Sequence, residues 1–94
     1  MSLMNAYQKL DTAVRVMVGK DAPLLERVKD AVAEVQQIVI ENDMPPVLRP
    51  EFTQLLEMIR SFQKDKKPEW TAAQIAVAIL VIFKRLLAET GFSN

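Results

Sequence analysis

Nine consecutive apolar residues, Ile-Ala-Val-Ala-Ile-Leu-Val-Ile-Phe at positions 75–83, constrain this chain more than any other feature. A strand alternates with period two, and this run does not. At about 100° per residue it reads as a helix. On that helix Ile75, Ile79, Ile82 and Leu86 form one row, with Leu80, Phe83 and Leu87 beside it. Those two rows are enough for a core face. Val77 and Val81 fall instead on the side shared with Gln74, Lys84, Arg85 and Glu89, with Ala78 and Ala88 nearby. An apolar patch on the polar side of a helix needs a cover or is a contact surface. Three readings follow: burial inside the domain, a homodimer or partner interface, and membrane insertion. Spanning a bilayer takes roughly 20 apolar residues, and Gln74, Lys84 and Arg85 bound this run too closely. Burial of Val77 and Val81 within the domain is the expectation, with an interface as the rival.

The rest of the chain carries helical punctuation. Tyr7, Leu10, Val14, Met17 and Val18 recur at three- and four-residue steps before Gly19, a C-terminal stop. Asp21 stands where an N-cap belongs, and Pro23 is tolerated in a first turn. Leu25, Val28, Val32, Val35 and Val39 then make a long stripe, with Leu24, Ala31 and Ile38 in the next row and Asn42-Asp43 closing the segment. Met44-Pro45-Pro46-Val47-Leu48-Arg49 must be a loop, because consecutive prolines cannot continue a helix. Pro50 suits a first helical position, and Phe52, Leu55, Leu56, Ile59 and Phe62 share one face after it. Thr71 with Gln74 has the spacing of a capping box, and Trp70 can staple onto Ile75. Gly91 suits a left-handed C-terminal position, with Phe92 folding back on Leu87. The expected fold is all-α, an antiparallel four-helix bundle with helices at about 4–18, 22–41, 50–63 and 72–90.

Length and composition narrow the chemistry. Ninety-four residues make one domain, taken here as residues 4–94 with Met1 to Leu3 read as an expression scar before a natural start at Met4. The chain has no Cys and no His. It therefore lacks thiolate nucleophiles, disulfides, Cys-based zinc sites and the commonest general base and metal ligand. With only Gly19 and Gly91, it has no Gly-rich phosphate loop. The acids Glu41 with Asp43, and Asp65 with Glu69, could pair for acid–base work, but helix ends and loops commonly hold acids that solvate or cap. No segment repeats acids closely enough for a calcium loop. Enzymes that work with Arg and Lys alone exist, small all-helical chorismate mutases being the natural example. That fold needs a very long first helix, which Gly19-Lys20-Asp21-Ala22-Pro23 interrupts here. No enzyme activity, metal or cofactor is expected.

Twelve basic and twelve acidic residues leave zero formal charge, hence no general attraction to nucleic acid or an anionic membrane surface. Lys64, Lys66 and Lys67, with Arg60 and Trp70 near, form the densest basic cluster. It could hold phosphate and stack a base, but it reads first as a solvated connector. No basic segment followed by an apolar stretch opens the chain, so cytoplasm is the expected compartment. The candidate interaction surface is Val77, Val81, Lys84 and Arg85 with Lys64, Lys66 and Lys67.

One resemblance rests on the order of these pieces. A short first helix leads to Lys20, Asp21 and Pro23; a long second helix leads to a linker bearing Pro45, Pro46 and Pro50; a third helix and a short basic connector lead to a Thr71-headed helix ending at Gly91. This arrangement resembles the immunity proteins that protect producers of pediocin-like bacteriocins. The resemblance implies a cytosolic antiparallel four-helix bundle without catalysis. It also implies recognition of a membrane receptor already engaged by toxin, with the C-terminal half setting specificity. A homodimeric helical regulator or assembly module is the alternative.

Overall fold

The computed structural model describes residues 3–91. In chain order the elements are α1 (Leu3–Gly19), α2 (Leu24–Val35), a single helical turn α3 (Ile40–Asp43), a 3₁₀ turn (Pro46–Leu48), α4 (Arg49–Lys64) and α5 (Glu69–Thr90). The four long helices form the expected antiparallel all-α bundle. Helix α5, at 22 residues, is about 33 Å long and matches the longest dimension of the molecule, 36 Å. It packs on α1, α2 and α4 together, so it is the central helix of the fold.

The core is built from side chains at alternating three- and four-residue steps, the spacing that keeps one stripe facing neighbouring helices. Helix α1 contributes Ala6, Leu10, Ala13 and Met17; α4 contributes Phe52, Leu55, Ile59 and Phe62; α5 contributes Ala72, Ile75, Ile79, Ile82 and Leu86. Val28, Ala31, Val32 and Val35 of α2 complete it. Each fully buried Ile, Leu or Phe contributes about 1.5–3 kcal/mol through removal from water. Met44 and Leu48, both fully buried in the crossover, close one end. Tyr7 and Phe83 stack with ring centroids 5.9 Å apart, joining α1 to α5 beside the core. In α1, Val18 is exposed rather than part of the expected stripe.

The second expected helix, 22–41, is corrected at both ends. It starts at Leu24 with no side-chain cap, because Pro23, not Asp21, occupies the capping position just outside the helix. The Arg27 guanidinium satisfies carbonyls there instead, donating to Met17 O at 2.7 Å and Ala22 O at 2.8 Å. At the other end the helix stops at Val35 and tightens through Gln37 N–H to Glu34 O and Ile38 N–H to Val35 O, both 3.1 Å. Val39 is then extended, at φ −95° and ψ 110°, before α3 begins. The β-branched run Ile38-Val39-Ile40 favours a break. The break buries Ile38 and leaves Val39 outside.

The capping box at Thr71 is also corrected. Helix α5 begins three residues before the expected Ala72, at Glu69, and Ala72 N–H bonds to Pro68 O at 2.7 Å. Thr71 Oγ1 donates instead to Asp65 Oδ2 at 3.2 Å, while Asp65 Oδ1 accepts the Lys67 N–H at 3.0 Å. Asp65 therefore shapes the connector from outside the helix. Trp70 is 74% exposed and staples nothing. Gly91 does adopt the left-handed conformation, φ 74°, and its N–H bonds to Leu87 O at 3.0 Å. The expected fold-back of Phe92 lies outside the described residues.

Candidate functional site

Of the two expected acid pairs, Asp43 and Asp65 are engaged in holding the fold, while Glu41 and Glu69 are exposed. Asp43, one member of an expected acid pair, is buried. Its Oδ2 accepts from Asn5 Nδ2 at 2.7 Å and from Val39 N–H at 2.8 Å, and its Oδ1 from Asn42 Nδ2 at 2.9 Å. Burial alone would push its pKa up. The donors outweigh that and hold it below the ordinary carboxylate range. Asp65 is tied to the connector, and Arg49 caps α3 by donating to Met44 O and Glu41 O, each at 3.0 Å. Arg15 pairs with Asp11 one turn away, and Lys20 with Asp30. Among the described residues no three of His, Cys, Asp and Glu gather where a metal could bind.

What the bundle leaves open is the outer face of α5. Val77 is 61% exposed and Val81 47%. The expectation that they are buried is therefore overturned. Helices α1, α2 and α4 surround α5 on its core side and its flanks, and none covers the side opposite Ile79. Trp70 and Leu80 are exposed on the same face, and Lys84 projects from it. Arg85 turns to the flank, where it pairs with Glu51 of α4. Between α4 and α5 a shallow groove of about 230 Å³ is lined by Gln54, Leu55 and Met58 on one side and Gln74, Val77, Ala78 and Val81 on the other.

The candidate surface thus divides in two. Lys64, the last residue of α4, and Lys66 and Lys67 of the α4–α5 connector are exposed. All three precede Glu69, the start of α5, which is itself eight residues, about 12 Å along the helix axis, before Val77. The connector instead borders a groove of about 350 Å³ formed by Lys29, Val32, Ala33 and Gln36 of α2 with Phe62, Gln63, Asp65 and Pro68. The sequence pattern points to a staple for Trp70 and to the core for Leu80, and the structure exposes both. For Trp70 the signal is in the sequence: Trp70, Val77 and Lys84 are spaced by seven, which keeps them on one helical face.

Helix α5 is also long and apolar enough to cross a membrane, with a mean hydropathy of 1.8 over its most apolar stretch. In the bundle its Ile75, Ile79, Ile82 and Leu86 row packs against protein. Comparison with family models, curated proteins and solved structures gives no match.

Proposed function

We propose that this chain is a non-enzymatic helical interaction protein that engages another protein through the outer face of α5. One observation carries the reading: four large apolar side chains, Trp70, Val77, Leu80 and Val81, stand exposed along one face of a neutral domain. Clustered exposed apolar residues are characteristic of contact surfaces. In its most specific form the proposal is a cytosolic bacteriocin immunity protein, protecting its producer by recognising a toxin-engaged membrane receptor. The antiparallel bundle and the position of this face in the C-terminal half both agree with what the resemblance implies. A homodimeric helical regulator or assembly module is the second reading, favoured by the residue order of the α5 face.

Expression of the chain in a bacteriocin-sensitive strain tests the immunity form. Tolerance should rise toward one member of a panel of pediocin-like toxins, and Val77→Lys should abolish the gain. Equal killing of expressing and control cells by the whole panel would overturn it.

A further inference from the structure

Six exposed residues of α5, Trp70, Gln74, Val77, Val81, Lys84 and Ala88, follow one another at steps of four, three, four, three and four. This is the spacing of a helix–helix seam. It runs along the side of α5 opposite the seam of Ala72, Ile75, Ile79, Ile82 and Leu86 that faces the core. Helix α5 therefore carries two seams, of which the bundle uses one. The outer seam is about 27 Å long. It is held in place on one flank by the Tyr7–Phe83 stack and on the other by the Arg85–Glu51 ion pair.

We infer that the outer seam pairs with the same seam of a second copy of this chain, the two α5 helices antiparallel about a twofold axis at Ile79. The inference rests on reading this face as an interaction surface, and the order of the residues supplies the partner. In such a pair each residue faces the one equally far beyond Ile79. Val77 and Val81 are both two residues away, Gln74 and Lys84 both five, Trp70 and Ala88 both nine. All six seam positions thus fall into three matched pairs. The valines meet one another. The largest side chain of the seam lies over the smallest, as interdigitated packing requires. The Gln74 side-chain carbonyl accepts from the Lys84 ammonium, so the one charge of the seam finds an acceptor. A parallel pair in register would set Lys84 against Lys84 and Trp70 against Trp70, which like-charge repulsion disfavours. A twofold interface demands a self-complementary surface of this kind. The zero formal charge adds no long-range repulsion between copies.

Sedimentation equilibrium of the full chain across the micromolar range should show the mass rising from 10.7 kDa toward twice that value. Val77→Asp should hold the chain at the monomer mass with its helical circular dichroism unchanged. Gln74→Glu, which sets a carboxylate opposite Lys84 twice per dimer, should tighten association by about two- to tenfold, and Gln74→Lys should loosen it similarly. The chain has no cysteine, so orientation can be read by cross-linking. A mixture of Val77→Cys and Val81→Cys proteins should oxidise to the mixed dimer severalfold faster than either protein alone. Faster self-linking of Val77→Cys would overturn the antiparallel register. A chain that is monomeric throughout the range would overturn the dimer, and co-flotation of that monomer with phosphatidylcholine vesicles would assign the face to a lipid surface instead. If the chain is monomeric and Val77→Lys still abolishes toxin tolerance, the second copy is excluded while the partner-binding reading stands. If it is monomeric and the panel kills without distinction, both fall.

Discussion

Asn5, near the start of α1, donates a 2.7 Å hydrogen bond to the carboxylate of Asp43, 38 residues further along the chain. The bond ties the first helix to the crossover that follows α2. The same carboxylate oxygen accepts the Val39 N–H at the turn where α2 gives way to α3. Asp43→Ala should therefore destabilise the protein by about 2–3 kcal/mol, since it leaves buried donors unsatisfied. Asn5→Ala should cost about 1 kcal/mol, and the double variant less than the sum. Urea denaturation of the three variants measures this directly.

The depressed pKa of Asp43 has a pH consequence with a definite sign. A carboxyl whose folded pKa lies below its unfolded value adds stability that is fully present above the unfolded pKa, about 3.9, and is lost as pH falls through the folded value. Thermal unfolding followed from pH 6 downward should lose stability below about pH 4. Asp43→Asn should start less stable and show a shallower decline over that interval.

Arg27 satisfies two carbonyls at the α1–α2 turn with one planar guanidinium. Arg27→Ala should cost about 1–2 kcal/mol. Arg27→Lys should recover only part, because a single ammonium cannot present two fixed donors in the same geometry. A denaturation midpoint for lysine equal to wild type would show that charge, not the fork, matters at this turn.

At the start of α5 the order of importance is Asp65 before Thr71. Asp65→Ala removes acceptors for both the Lys67 amide and the Thr71 hydroxyl and should cost about 1 kcal/mol. Thr71→Ala, one exposed contact inside a helix already begun, should cost no more than about 0.5 kcal/mol. The reverse order in chemical denaturation would restore Thr71 as the cap.

The two seams of α5 should respond differently to truncation. Ile79→Ala, at a fully buried site, should cost about 2–4 kcal/mol through lost contacts and a residual cavity. Val77→Ala, on the open face, should change monomer stability by no more than about 0.5 kcal/mol. Denaturation at concentrations below any association separates the two. Similar losses at both positions would mean that Val77 has a cover within the chain.

The bundle was legible wherever side-chain period alone decides the outcome. Phe52, Leu55, Ile59 and Phe62 of α4 and the isoleucine row of α5 lie in the core where their spacing places them. Gly91 ends α5 in the conformation that only glycine adopts readily. The break after Val35 was hidden because Val28, Val32, Val35 and Val39 keep their helical rhythm straight through it. Part of what holds the break is an acceptor shared with Asn5, and no local pattern reports a contact across 38 residues. Val77 and Val81 were misplaced for another reason. Spacing tells which residues share a face, but which faces are covered depends on how neighbouring helices arrange around α5.

The exposure of Trp70 has a practical consequence. It is the only tryptophan in the chain and it lies at one end of the outer seam. Its indole is already in water when the chain is folded, so its emission should shift little on melting. It should move to the blue when the outer face is occupied. The molecule thus carries an intrinsic optical reporter of contact that is nearly silent to unfolding.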